Sequence, residues 1–405
     1  MSAHPTGLAF EQARDIIGQV AAAHRLASES LALARSHGRV LAQDVIAPIA
    51  LQPFDNSAMD GYALRHADLA LAGGTVLRLA GEQFAGRALG LRVGAGECVR
   101  ITTGAPLPAG ADTVVVREDV RVEGGRVFLQ AVPAAGANIR RAGEDVREGD
   151  LVLRRGEVLT APRVALAAAL GIAQLQVSRR PTVAVFTTGD ELVEPGLPLQ
   201  PGEIHDSNRE LLMGLLRADG LEPTAWPRLA DDPKQVEVAL RDAGCAFDLV
   251  LTCGGVSAGE KDHLPAVLER FGQVHFWKVR MKPGMPLLFG SLDQARVLGL
   301  PGNPVSVLAT YLTLGRALID ALQGRAQPRP RWHARLAAAV DKTHDRREFM
   351  RARLYGSEDG SLRADPDPAT GSHRLQAAAR ADALIVLPEG PQRLAAGDVV
   401  EVLPY

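Results

Sequence analysis

Three cysteines in 405 residues are too few for a disulfide framework, and Cys98, Cys245 and Cys253 do not fall at Cys-x-x-Cys metal-site spacing. A reducing cytoplasm fits such usage. Charge of one sign is also missing: 45 Lys and Arg stand against 47 Asp and Glu, a formal net charge of −2. The basic residues are spread along the chain, so no field invites nucleic acid or an anionic membrane surface. Long hydrophobic runs are absent as well. The N-terminus carries Glu11 and Asp15 in a helical pattern and lacks a signal-type apolar core. The most apolar stretch, residues 164–173, is too short to cross a bilayer. There is no repeat of fixed period, no Gly-Lys-Ser/Thr phosphate loop and, at the main glycine turn, no Gly-x-Gly-x-x-Gly.

What is present changes in texture along the chain. At about 150 residues per domain the length implies two to four domains. Residues 8–36 read as helices, first through Leu8, Ala13, Ile16, Ile17 and Val20 and then through Leu31 and Leu33. Residues 45–146 carry short alternating runs at 76–79, 97–102, 113–117 and 126–130, the pattern of an all-β insert. Residues 149–160 read as a hairpin turning at Gly156, and 161–170 as a helix with Pro162 in its first turn. From Pro181 three apolar strands, at 182–186, 248–253 and 296–300, each lead through a polar turn into helical sequence, which is α/β organisation. A proline-containing linker at 327–330 precedes a small β module.

The three strand ends carry the chemistry. They are Phe186-Thr-Thr-Gly-Asp-Glu-Leu192, the loop from Cys253 through Gly254, Gly255 and Ser257 to Glu260, Lys261 and Asp262, and Leu300-Pro-Gly-Asn-Pro-Val-Ser306. Parallel strands place all three on one sheet edge, where open α/β sheets bind ligands. Glycines let a ligand approach the backbone N–H groups, although a plain βα turn would look the same. Asn303 suits an N-cap and Pro304 a first turn, so free N–H groups near Ser306 would hold an oxyanion; a purely structural cap is the alternative. Asp190 and Glu191 could cap the next helix, but with Asp262 on the same edge they suggest Mg²⁺ bridging to a phosphate. No His/Cys cluster competes for a softer metal.

Lys278, Arg280 and Lys282 alternate along an extended segment and would share one face, as an anion cradle or as a solvated strand edge. Asp60 and Asp145 lie in turns at the two ends of the insert, with acids beyond what turning requires, and could reach a site from another domain. Arg346, Arg347 and Arg351 near Phe349, and the loop Gly371-Ser-His373, read first as solvated surface. The residues by themselves lead to a multidomain protein with an anion and Mg²⁺ site for a phosphate-bearing ligand.

Eight motifs in order resemble the MoeA family of molybdopterin molybdenumtransferases, related to the E domain of gephyrin. They are Pro53-Phe-Asp-Asn-Ser-Ala-Met-Asp-Gly-Tyr62, Thr103-Gly-Ala-Pro-Leu-Pro108, Gly143-Glu-Asp145, Thr188-Gly-Asp-Glu-Leu192, Asp206-Ser-Asn208, Gly254-Gly-Val-Ser257, Lys282-Pro-Gly284 and Leu300-Pro-Gly-Asn-Pro-Val-Ser306. The resemblance implies an elongated multidomain chain of α/β plus β modules: a three-layer α/β domain, an all-β insert and a C-terminal β-barrel-like module. Its parts would be an N-terminal helix (1–26), a linking domain (27–45 with 148–178), the insert (46–147), the molybdopterin-binding domain (179–326) and the last module (327–405).

It further implies a cytoplasmic homodimer in which the glycine-loop domain of one subunit faces the insert of the other. Such a dimer converts adenylylated molybdopterin and molybdate into molybdenum cofactor and AMP with Mg²⁺. Matched by motif, the functional acids fall on Asp60, Asp145, Glu191, Asp231 and Asp262 and the threonine on Thr103, with Asp60, Glu191 and Asp262 as metal ligands. Substrate contacts fall on Gly254, Gly255, Ser257, Asn303, Lys278 and Lys282, and the molybdate pocket on Lys282, Ser306, Arg351 and Ser372. Met285 stands where many members have a second lysine, one cation fewer for a dianion. A scaffold that keeps the fold, and the pathway's adenylyltransferase, which resembles 181–325 alone, are the rival readings. A docking adenylyltransferase and apo-molybdoenzymes that take the cofactor are the further partners the resemblance brings.

Overall fold

The three apolar strands of the middle third lie side by side in the computed structural model, which describes residues 4–69, 74–229, 231–256, 262–369 and 371–405. Val183–Thr187 pairs in parallel with Leu249–Cys253, and that strand in parallel with Ala295–Leu300. Every residue in all three is buried, so apart from Thr187, Thr252 and Arg296 they read as continuous apolar runs rather than alternating ones. The full sheet has seven strands in the order Thr6–Leu8, Gln273–Val279, Leu288–Leu292, Ala295–Leu300, Leu249–Cys253, Val183–Thr187, Thr224–Ala225. Only Leu288–Leu292 runs against its neighbours.

Helices cover both faces. Phe10–Ala22, Ser207–Ala218 and the helical stretch 304–322 bury Phe10, Ile17, Leu212, Leu216 and Leu308 on one side. Pro233–Ala246 and Leu264–Phe271 bury Val236, Leu240, Val267 and Leu268 on the other. This is a three-layer α/β arrangement. The sequence pointed to 164–173 as the most apolar stretch, but Pro304–Leu322 is longer and passes a length and composition test for a membrane span. With 72% of its apolar window buried against protein, it is the central helix of this layer.

Asp219, just beyond the helix Ser207–Ala218, fastens that layer. It accepts from Tyr311 Oη at 2.7 Å, Arg316 Nε at 2.8 Å and Arg329 at 3.1 Å. Arg329 also forks onto Asp320 at 2.8 and 3.0 Å. Burial by itself would raise the Asp219 carboxyl, but Arg316, Arg329 and Tyr311 outweigh it and hold the group below its ordinary value.

Two expectations for the first part of the chain need correction. The run through Leu31 is the strand Ser28–Ala32, paired antiparallel with Gln174–Ser178, and only Leu33–Ser36 after it is helical. Residues 149–160 do not form a hairpin: Leu151–Leu153 pairs with Val45–Ile46, and Val158 bridges to Val40. In both cases a partner far along the chain replaces the local pairing that short alternating sequence suggests. These strands and the helix Ala161–Ala169 share one core, containing Leu31, Leu41, Leu153, Leu159 and Val177.

Between them stands the all-β insert, a six-stranded sheet in the order Thr113–Val116, Gly61–Leu64, Glu97–Ile101, Val76–Gln83, Arg126–Leu129, Val120–Glu123. Gly61 is required there, since a Cβ would sit 1.9 Å from the Val115 carbonyl oxygen. The last part is a closed five-stranded barrel of Trp332–Leu336, Leu362–Pro366, Arg347–Gly356, Ala383–Leu387 and Val399–Pro404. Met281–Lys282 adds to its strand Arg347–Gly356 in parallel, Lys282 opposite Glu348. Along that strand Ala352 joins the barrel core, while Phe349 turns outward into the α/β core.

Candidate active site

The carboxyl ends of the three central strands are tied to one another before any side chain enters. Thr188 N–H donates to the Cys253 carbonyl at 3.1 Å and Gly254 N–H to Leu300 at 3.0 Å. Gly254 and Gly255 have φ of +93° and +70°, and a Cβ on Gly254 would lie 2.7 Å from Thr188 Oγ1. The double glycine is therefore a steric requirement of the turn, beyond any role with a ligand. Trp277 Nε1 holds the Val256 carbonyl at 2.9 Å. Ser257 lies outside the described residues.

These loops open into a cleft of about 450 Å³ whose walls include Glu191, Asp231, Asp262, Gly254, Gly255 and Asn303. The sequence placed the polar loops on one edge, and the structure brings these six together there. It also adds walls the sequence did not assign. Ser207 and Asn208 open the helix Ser207–Ala218 directly onto the cleft. Asp206 caps that helix, accepting from Arg209 N–H at 3.1 Å and from Thr187 Oγ1 at 2.6 Å. Asn208 Nδ2 donates to the Gly302 carbonyl at 2.6 Å and fixes the third loop. An Asp-Ser-Asn run before a helical pattern is the cap signal that could have marked this end.

The helix beginning at Pro304 behaves differently from expectation. Its first N–H groups are not free: Val305 donates to the Ser372 carbonyl at 3.1 Å, and Ser306 and Val307 to Asn303 at 2.9 and 3.0 Å. The site keeps the positive end of its dipole but not its donors. Ser372 belongs to a loop of the barrel module, and the next residue, His373, forms a cleft wall, so a loop that read as solvated surface closes the site.

Asp190 does not cap the following helix, a task Asp206 performs; its Oδ1 accepts from Asp231 N–H at 3.1 Å and so positions that acid's loop. Among the described residues no three His, Cys, Asp or Glu groups stand close enough to form a metal cage. Glu191, Asp231 and Asp262 nevertheless offer hard oxygens along one cleft, and Mg²⁺ commonly takes one or two carboxylates and completes its shell with water and phosphate. The donor set fits that ion as a bridge to a ligand.

Asp60, Thr103 and Asp145 do not line this cleft; they belong to the insert and its junction. Asp60 accepts from Thr103 N–H at 2.8 Å and Thr103 Oγ1 at 2.9 Å, and these bonds, aided by Arg117 and Arg100, keep its carboxyl below the usual range. Asp145 is tied by its backbone to Leu51 at 3.2 Å.

The three alternating cations do not form one cradle. Lys278 has φ of +68°, which breaks the alternation, and its ammonium lies 5.0 Å from the Trp277 ring centroid. Arg280 pairs with Glu389 at 2.9 Å and Lys282 with Glu348 at 2.9 Å. Arg351 is buried and donates to the Ala369 carbonyl and, at 3.3 Å, to Gly371. Through this loop Arg351, Ser372 and Ser306 gather at the start of the helix, whereas Lys282 is held elsewhere. None of these four lines the cleft itself.

Fold and site together define a class: a multidomain α/β protein with a polar ligand cleft at the carboxyl edge of its sheet, walled in part by a separate β-barrel. Residues 8–171 match the MoeA N-terminal region (domains I and II), 184–321 a probable molybdopterin binding domain, and 333–405 the MoeA C-terminal region (domain IV). The chain is 41% identical over 381 residues to a molybdopterin molybdenumtransferase of Haemophilus influenzae, covering 93% of this chain and 94% of that one. It is 39% identical to molybdopterin molybdenumtransferase 2 of Mycobacterium tuberculosis, covering 91% and 93%. A crystal structure of the molybdopterin biosynthesis moeA protein of Pyrococcus horikoshii superposes with a TM-score of 0.85 at 28% identity, covering 99% and 100%. The chain belongs to the MoeA family of molybdenum cofactor biosynthesis enzymes.

Proposed function

We propose that this chain inserts molybdate into adenylylated molybdopterin with Mg²⁺-dependent release of AMP, giving molybdenum cofactor. The observation that carries the reading is the cleft in which Glu191, Asp231 and Asp262 face the positive ends of two helices. Such a site suits a phosphate anhydride accompanied by a cation. Glu191 and Asp262 would hold Mg²⁺, which offsets pyrophosphate charge when bound. The helix dipole at Ser207 would favour the phosphates, and Gly254 and Gly255 would let the ligand reach the backbone. Lys282, Ser306, Arg351 and Ser372 would take the tetrahedral dianion.

Asp60, Thr103 and Asp145 lie apart from the cleft of their own chain, which supports a homodimer in which the partner's insert meets this cleft. The proposed setting is the cytoplasm, with no nucleic acid or membrane engaged, and with the adenylyltransferase and the cofactor's acceptor enzymes as transient partners. A scaffold built on the same fold would need none of the acids.

The test measures AMP release from adenylylated molybdopterin with Mg²⁺, with and without molybdate, for the native chain and Asp262→Ala. Molybdate-dependent release that the substitution abolishes is the expected result. No release from a folded native dimer would move the assignment to the scaffold.

A further inference from the structure

The pairing of Lys282 conflicts with its role as an anion ligand, and the conflict is informative. Lys282 Nζ lies 2.9 Å from Glu348 Oε1, and the other oxygen of Glu348 lies 3.1 Å from His344 Nε2. Lys282 and Glu348 are register partners on neighbouring parallel strands and so share a face. The strand carrying Glu348 pairs without a bulge through Ala352, so Arg351, three residues on, points to the opposite face with Phe349. Lys282 in its observed position cannot serve an anion beside Arg351.

The two members of the pair are not equally fixed. The Glu348 side chain is 8% exposed and that of Lys282 29%, so the lysine, with its flexible four-carbon stem, is the member free to swing. Its departure would not leave the carboxylate without a cation: Lys342, anchored to the His344 carbonyl at 2.7 Å, remains within its electrostatic reach, whereas burial favours the neutral form of His344 and that ring adds no charge.

Resting on the reading of Lys282 as an oxyanion ligand, we infer that Glu348 is a positioning residue that competes with the incoming tetrahedral dianion for Lys282. The lysine is stored against Glu348 and, being the last residue of the two-residue strand Met281–Lys282, swings around that strand's end toward the Arg351 side when the dianion binds. Glu348 thereby sets the affinity of the pocket, and the effect is greater because Met285 supplies no second cation.

Calorimetric titration of sodium molybdate into the full-length chain tests this with Lys282→Ala, Glu348→Gln and the double variant. Removing the competitor is expected to tighten binding about tenfold, and the gain is expected to vanish when Lys282 is also absent. Unchanged or weaker binding in Glu348→Gln, or an equal gain without Lys282, overturns the inference. If Lys282→Ala binds as tightly as the native chain, it is the underlying reading of Lys282 that fails. Should Glu348→Gln not fold, Glu348→Asp withdraws the carboxylate by one methylene; a smaller gain is then expected, and its absence overturns the inference.

Discussion

Replacing Asp219 by alanine removes one carboxylate that three donors share. Its side chain and that of Arg316 are 6% and 13% exposed, so the arginine would be left almost wholly buried with its charge uncompensated. Arg329 keeps its fork on Asp320, and Tyr311 is left with only a long bond, 3.5 Å, to the Leu215 carbonyl. Breaking a buried pair from one side costs about 3 to 5 kcal/mol, and the partner left to Arg329 puts this case near the lower figure, about 3 kcal/mol. Asp219→Asn keeps an acceptor but not the charge and should cost about 1.5 kcal/mol. Urea unfolding followed by tryptophan fluorescence reads this in a Trp332→Phe background, where Trp226 and Trp277 report the α/β core.

The acid limb supplies a second reading. The folded-state carboxyl of Asp219 is depressed, so its contribution is complete above the unfolded value near 3.8 and is lost as pH falls through the lower folded value. Asp219→Asn should lack that part of the acid loss. An alanine variant within about 1 kcal/mol of native, or an asparagine variant as costly as alanine, would refute the account of Asp219 as an ionic hub.

Gly254→Ala should cost about 1 to 2 kcal/mol from its left-handed φ alone, more with the contact to Thr188, and should raise KM in the AMP-release assay; native KM in a stable variant would refute the steric role. Thr103→Ala removes one of the two Thr103 bonds to Asp60, so the Asp60 carboxyl should move up toward its ordinary range in a carboxyl NMR titration. A titration that does not move would mean that the backbone N–H alone fixes it. Burial pushes the Cys98 thiol up to about 12 and the Cys253 thiol up as well, while Cys245 is exposed. Iodoacetamide at mild alkaline pH should therefore label Cys245 alone in the native chain, slowly, because desolvation and Asp293 raise that thiol too. Rapid labelling of Cys253 would contradict the packing of the central strand.

The central sheet was legible because its strands are buried on both faces: five or six mostly apolar residues ending in Thr-Gly, Gly-Gly or Pro-Gly-Asn carry their own signal. The strand at Ser28–Ala32 was not, since its identity comes from Gln174–Ser178, far along the chain. Within the site, Glu191, Asp231, Asp262 and Asn303 could be placed on one edge from strand order and motif. His373 could not, because nothing near residue 373 tells that its loop docks on the helix at Val305. The cation triplet misled for a local reason. Alternation places side chains only while the backbone stays extended, and a positive φ at Lys278 ends it.

The bond from Val305 N–H to the Ser372 carbonyl has a consequence for how the protein is made. The glycine turns and the acids emerge from the ribosome well before the barrel that supplies this acceptor and the His373 wall. Domains fold as units in order of synthesis, so the α/β unit must wait with an incomplete cleft until the last module is translated and docks. Chains interrupted in the linker would hold nearly all the motifs and still lack a finished cleft, which makes docking of the barrel module the step at which a nascent chain gains its own complete cleft wall.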